Sequence, residues 1–132
     1  MLFAKYNAKD TTVTVDGVNI TGFGEDMLTI EKDEEEFTTS VGAQGDIVKN
    51  MINNSLGTST LTVQVTSPQY AYLMELVKRE DPFPFWYTNK VLGERSGGTM
   101  ANIKKIPSMN RGKEAEDGSF EVQIFDLVNE RI

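Results

Sequence analysis

Seven carboxylates fall between Glu25 and Glu36, against a single lysine, Lys32. Asp33, Glu34, Glu35 and Glu36 are consecutive, so the densest chemistry in the chain is acidic. Paired carboxylates can act as general acid and base, or hold a hard cation through oxygen. Asp33 and Glu35 are the pair such a reading would use. Consecutive acids in a turn usually point into solvent, however, and the run lacks the glycine and distal glutamate of a calcium loop. What remains is a solvated acidic turn at Asp33, Glu34 and Glu35, or a negative wall facing a channel.

Other residue groups offer weaker chemistry. Gly22-Phe23-Gly24, Gly42-Ala43-Gln44-Gly45 and Gly93 to Gly98 could approach a phosphate. None ends in GK[ST] or joins a strand to a helix, so turn geometry accounts for them. Phe83, Phe85, Trp86 and Tyr87 could stack on bases or sugars. They lack the basic neighbours of a base-stacking platform, which favours a core face combined with an intersubunit anchor. Lys104, Lys105, Arg111 and Lys113 form a modest basic patch, either a solvated loop or a surface for the acidic run of a neighbouring copy. The chain has no His and no Cys. The commonest general base, the commonest metal ligand and the thiol nucleophile are therefore missing. No serine is placed beside a base. The expectation is a protein with no catalytic residue, no metal and no cofactor.

The chain has 132 residues and a net charge of -7. That length suits one domain, 1–132, able to bury about two-thirds of its unfolded surface without a disulfide. The charge argues against gripping nucleic acid by its phosphates, but not against a conduit that nucleic acid passes without sticking. Met1 to Asp10 lacks the apolar run of a signal peptide, and no segment approaches the roughly 20 apolar residues of a membrane helix. A soluble protein made in the cytoplasm is expected.

The elements that must position these residues read mostly as strands. Thr12 to Ile20 alternates on both sides of Asp16-Gly17, a tight hairpin turn, and Gly22 and Gly24 end that run. Met27 to Lys32 is the next strand. Residues 53–60 read as a polar loop, and Leu61 to Val65 as a half-buried strand. Ser67-Pro68 is a helix start, with the helix running from about Pro68 to Glu80 and a stripe of Tyr70, Leu73, Met74 and Val77 facing a core. Phe83 to Asn89 is a strand that Pro84 confines to an edge or to a strand start. Residues 93–98 read as a loop, Thr99 to Ile106 as a strand, 107–118 as a loop and Ser119 to Val128 as the last strand. About eight strands and one helix predict a mainly β protein, an antiparallel sandwich or small barrel with one flanking helix.

One stretch does not fit a self-sufficient domain. Residues from about 34 to 53 read as a long hairpin around the loop Gly42 to Gly45. Phe37, Thr39 and Val41 fall on one face and Glu36, Thr38 and Ser40 on the other. Its apolar content is thin, a lone two-stranded ribbon is marginal in water, and its open edges invite another chain. It either lies on the body of its own domain or completes a sheet with neighbouring copies.

The order of three phrases resembles the tail tube proteins of contractile-tail phages. They are residues 6–50, YNAKDTTVTVDGVNITGFGEDMLTIEKDEEEFTTSVGAQGDIVKN, residues 59–78, STLTVQVTSPQYAYLMELVK, and SFEVQIFD near the end. The resemblance covers nearly the whole chain and extends in architecture to bacteriocin particles and type VI secretion tubes. It implies hexameric rings stacked into a hollow tube, with hairpins joined into one inner β-barrel and an acidic lumen. Two hairpins match the barrel-forming elements: Glu36–Val41 with Ile47–Ile52, and Phe83–Asn89 with Thr99–Ile106, the second interrupted by Pro84. Phe37, Val41, Gly42, Gly45, Asp46, Ile47 and Val48 would form the inter-subunit hairpin. Glu36, Thr38 and Ser40 are expected towards the lumen, because Phe37 and Val41 need burial. Lys49 is counted with them, although periodicity leaves open whether its face or that of Val48 and Asn50 meets the channel. The implied partners are other copies of the chain, then sheath, tape-measure, baseplate and terminator proteins, with DNA passing unbound. The implied place is the virion tail, after synthesis in the host bacterial cytoplasm. A tail terminator or baseplate hub ring is the near alternative. A small carbohydrate-binding sandwich using Trp86 and Tyr87 is the alternative of another class.

Overall fold

Alternating side chains build the sheet and decide which way it faces. The computed structural model describes residues 1–132. Its ten strands are β1 (Thr11–Val15), β2 (Val18–Asn19), β3 (Phe23–Lys32), β4 (Phe37–Val41), β5 (Ile47–Met51), β6 (Gly57–Val63), β7 (Phe83–Asn89), β8 (Glu94–Lys105), β9 (Gly118–Ile124) and β10 (Val128–Arg131). A single α-helix, α1, spans Tyr70–Leu76, and no helix is long and apolar enough to cross a membrane. Eight strands form one antiparallel sheet in the order β2-β1-β7-β8-β9-β6-β3, with β10 also paired to β8. β4 and β5 form a separate two-stranded sheet.

In β6 and β9 every second residue is buried, so Leu61, Val63, Phe120, Val122 and Ile124 face inwards while Thr60, Thr62, Glu121 and Gln123 face out. The inward faces of β1 and β7 join the same cluster through Val13, Val15, Phe83 and Phe85. The sheet therefore curls over its own apolar face, as in a sandwich or barrel. α1 contributes Leu73 and Leu76 to that core, and Tyr70 packs edge-on against Phe120 with ring centroids 5.6 Å apart.

Several boundaries differ from the sequence expectation, each for a non-local reason. The helix is shorter than Pro68–Glu80 because residues 65–69 form a turn, in which Ser67 Oγ accepts from Gln69 N–H (3.3 Å). Ser67 Oγ donates to the Thr21 carbonyl (2.6 Å), and the N-cap is Gln69, which makes no side-chain cap bond. Gln69 Oε1 instead accepts from the backbone and hydroxyl of Thr21. At the other end Arg79 leaves the helix to pair with Asp16 (2.5 Å).

β7 is an interior strand between β1 and β8, and Pro84, its second residue, sits where the β8 register slips between Phe83 and Phe85. Proline at a strand start beside a bulge removes no ladder bond that the sheet needs. Residues 94–98, expected as loop, are the first half of β8, pairing with β7 on one side and β10 on the other. A Cβ on Gly97 would lie 2.0 Å from the Phe85 carbonyl oxygen, so close strand approach requires this glycine. β3 and β6 likewise begin earlier than expected, at Phe23 and Gly57, and β6 ends at Val63. The last run, Ser119 to Val128, is broken into β9 and β10 by a bend at residues 125–127.

Candidate functional site

β4 and β5 pair with each other and with no other strand. All ten of their residues are exposed. The turn that joins them is closed by Gly42 N–H to the Asp46 carbonyl (2.8 Å) and Gly45 N–H to the Gly42 carbonyl (3.0 Å). Gly45 takes φ +91, a left-handed conformation open to glycine, so the loop spans residues 42–46.

The register fixes the faces. Phe37 opposes Met51, Thr39 opposes Lys49, and Val41 opposes Ile47. Thr38 opposes Asn50 and Ser40 opposes Val48. Directly opposed residues share a face. One face therefore carries Phe37, Val41, Ile47 and Met51, which are 42%, 67%, 71% and 61% exposed. The other carries Glu36, Thr38, Ser40 and Asn50 together with Val48, which is 57% exposed, and Asn50 Nδ2 donates to Ser40 Oγ (2.7 Å). Lys49 lies on the apolar face, not with Glu36, Thr38 and Ser40 as expected. Its ammonium sits 4.5 Å from the Phe37 ring centroid, a cation–π contact across the ribbon.

The acidic run divides by role. Asp33 accepts hydrogen bonds from Thr58 Oγ1 (2.6 Å) and Gln123 Nε2 (3.2 Å). These two donors, with Lys104 nearby, hold its carboxyl below the usual range. Glu36 pairs with Lys32 (2.5 Å), and Glu34 and Glu35 face solvent. No group of acidic side chains gathers in a geometry suited to a metal ion.

The aromatic run splits between two faces. Phe83 and Phe85 are fully buried. Trp86 points to the other face, where the Arg95 guanidinium lies 3.6 Å from its ring centroid, and Arg95 pairs in turn with Glu130. Tyr87 donates to Glu94 Oε1 (2.7 Å), and burial followed by that bond pushes its pKa up to about 12. With Arg95 on Trp86 and Glu94 on Tyr87, the run offers no open stacking platform for a sugar or base.

The second hairpin expected to join a shared barrel is built into the main sheet. β7 has β1 and β8 on its two sides, and β8 has β7 facing β9 and β10. Its edges are taken within the subunit. The edge that sequence reasoning missed is β3, whose ten residues pair only with β6. Glu25, Asp26 and Glu31 on it are the signal, since charged side chains commonly protect an open strand edge. An open groove of about 1440 Å³ with a mixed polar and apolar lining runs between β3 and residues 94–96 and 129–131, too wide and open to enclose a small molecule. β3 leads through Asp33–Glu36 into β4, so β3, paired only with β6, and β4, paired only with β5, each leave one strand edge open.

Residues 4–120 match the family described as bacteriophage PhiTE tail tube protein. Among curated proteins none matches the chain. Solved structures share the fold, among them three from contractile injection systems and an anti-feeding prophage. A sheath/tube terminator of an extracellular contractile injection system (PVC, extended state) superposes with a TM-score of 0.67 at 11% identity, covering 98% of this chain and 99% of that one. The tube-terminating cap of the anti-feeding prophage gives 0.65 at 11% identity, covering 100% and 95%. A chain of the PVC sheath–tube complex in the extended state gives 0.65 at 10% identity, covering 97% and 93%.

Proposed function

The chain belongs to the bacteriophage PhiTE tail tube protein family, and we propose that it is the tube subunit itself, forming stacked hexameric rings whose lumen conducts DNA. It is a structural component of a tail particle, not an enzyme. The observation that carries the proposal is the β4–β5 ribbon, with both edges unpaired and an apolar face open to solvent.

Rotation about a ring axis leaves strand direction unchanged, so β5 of one copy meets β4 of the next antiparallel, as β4 meets β5 within a copy. Head-to-tail pairing of this kind closes a ring and removes every ribbon edge. In that ring the face with Glu36, Thr38, Ser40 and Asn50 lines the channel. Phe37, Val41, Ile47 and Met51 pack outwards against subunit bodies, and Lys49 goes with them. Six copies at -7 each give the whole ring -42 charges, a negative field that disfavours close approach of DNA phosphates, with Glu36 as the carboxylate on the channel face itself. Sheath packs outside the tube, tape-measure protein occupies it during assembly, and baseplate and terminator close its ends. The subunit is made in the host cytoplasm before it enters the virion tail.

A terminating ring is the second reading, favoured by the fold shared with a tube terminator and a terminating cap. Negative-stain microscopy at rising protein concentration separates the two. Long tubes with a central hole support the tube subunit, single rings that never stack support the terminator, and a strict monomer at high concentration overturns both. Deleting Gly42–Asp46 leaves directly opposed Val41 and Ile47 with no turn between them. That variant should fold but form no rings, and tubes from it would remove the ribbon as the ring-forming element.

A further inference from the structure

The ribbon meets the body at a joint of unequal lengths. Between the Lys32–Gly57 pair of β3–β6 and the Phe37–Met51 pair of β4–β5 lie four residues on one strand, 33–36, and five on the other, 52–56. One extra residue bends a ribbon and exchanges the faces of one strand relative to the other. Backbone bonds bound the joint, Asp33 N–H to the Leu56 carbonyl and Ile52 N–H to the Glu36 carbonyl, both 3.0 Å.

Each strand of the joint is also pinned to the body. On the first, the Asp33 carboxylate reaches Thr58 of β6 (2.6 Å) and Gln123 of β9 (3.2 Å). Gln123 Nε2 also donates to the Gly57 carbonyl (2.8 Å), so β6, β9 and the joint meet at one side chain. On the second, Ser55 Oγ donates to the Phe125 carbonyl (2.7 Å), and Leu127 N–H donates to the Ser55 carbonyl (2.9 Å). The joint is also tightly packed, because a Cβ on Gly57 would lie 2.4 Å from the Leu127 side chain. A passive linker needs none of these contacts. The ribbon beyond the joint, by contrast, is exposed on both faces.

We infer that this joint, pinned by Asp33 on one strand and Ser55 on the other, sets the ribbon's angle to the body before assembly and so determines how many subunits close a ring. The inference rests on the ribbon being the ring-forming element. In a closed barrel the strand number and diameter rise together, so the angle between a ribbon and its own body fixes the turn from one copy to the next. A ribbon held at that angle loses less freedom on assembly than one on a free hinge. Among the four consecutive acids, Asp33, although exposed like Glu34 and Glu35, is thus the positioning residue, because its carboxylate bonds to Thr58 and Gln123 of the body.

The test uses the full chain with Asp33→Ala and, separately, Thr58→Val, which cuts the same latch without changing charge. Cooperative thermal melting reports the fold. Light scattering gives the critical concentration for assembly, and class averages from electron microscopy give the subunits per ring. Both variants should fold, require about a tenfold higher concentration to assemble, the factor expected from one charge-assisted hydrogen bond, and form rings of mixed size. If Asp33→Ala does not fold, Ser55→Ala with the same readings takes its place. Wild-type concentration and ring size in the variants overturn the inference. So does an effect of Asp33→Ala that Thr58→Val does not share, which would make it one of charge. Failure of the wild-type chain to form rings overturns the reading of the ribbon instead.

Discussion

Lys49 reaches across the ribbon to hold its ammonium 4.5 Å from the centre of the Phe37 ring, on the face that also carries Met51, Val41 and Ile47. A lysine can lay its methylene stem on apolar surface while its charge stays in water. Here it partly shields one end of an apolar face that nothing else in the subunit covers. The other end, Val41 and Ile47, remains 67% and 71% exposed.

Ile47→Asp should therefore separate folding from assembly. In the free subunit the side chain is mostly in water, so the change should alter stability by no more than about 0.5 kcal/mol. In the proposed tube the same position would be covered, and a buried unpaired carboxylate is strongly unfavourable. The expected result is an unchanged melting temperature with loss of rings by electron microscopy. Tubes of normal yield would show that this face stays wet.

Residue patterns carry part of this structure and miss the rest for identifiable reasons. The Asp16-Gly17 turn is legible because both residues must take positive φ, and they do, at 52° and 79°. The inward faces of Leu61–Val63 and Phe120–Ile124 follow from period-two alternation. Ser67 reads as the cap of a helix starting at Pro68, but its hydroxyl ties a turn at 65–69 to Thr21, distant in sequence, and the helix begins only at Tyr70. The first half of β8 reads as a loop because Gly97 and Gly98 answer to a neighbouring strand and to Asp126, which no local window contains. Lys49 is the instructive case for the site. Alternation gives each strand two faces, but which faces match across a hairpin depends on turn length, and the turn is five residues, 42–46, rather than four.

Gly97→Ala tests the packing of β7 against β8. At φ +144 the residue is strained for any side chain, and the new methyl would meet the Phe85 carbonyl oxygen 2.0 Å away. Backbone, unlike a flexible side-chain end, cannot move aside cheaply. The variant should lose about 2–3 kcal/mol and melt roughly 10 °C lower by calorimetry. An unchanged melting point would mean that the two strands stand farther apart.

Asp126 gives the subunit an acid sensitivity of predictable sign. Burial opposes its charge, but donation from the Thr99 hydroxyl (2.5 Å) and from the backbone N–H groups of Thr99 (3.1 Å) and Met100 (3.0 Å) outweighs it and lowers the pKa. A carboxylate whose folded pKa lies below its unfolded value, near 3.9, contributes stability that is fully present above that value. The contribution is lost as pH falls through the folded pKa. Asp33 is lowered as well and acts in the same direction. Melting temperature measured from pH 6 down to pH 2 should therefore hold steady to about pH 4 and fall below it. Asp126→Asn should be less stable at pH 6 and show a shallower fall. An equal slope in the two proteins would remove Asp126 from the account.

Which ribbon face meets DNA can be decided by placing lysine on each. Thr38 and Ser40 share the polar face, and Thr39 lies on the apolar one. Thr38→Lys with Ser40→Lys would add two cations per subunit to a neutral stretch of the wall. A ring of six at -7 each would change from -42 to -30, with all twelve new charges inside the channel. Tubes should still form, because these side chains project into open water. They should hold double-stranded DNA in a way that weakens steeply with salt, as counterion release requires. Thr39→Lys instead drives charge into the covered face beside Lys49 and should reduce assembly without creating DNA binding. The measurement is co-sedimentation of tubes with labelled DNA across a salt series. If Thr39→Lys tubes assemble and bind DNA while the double variant fails to polymerise, the ribbon is turned the other way and its apolar face lines the channel.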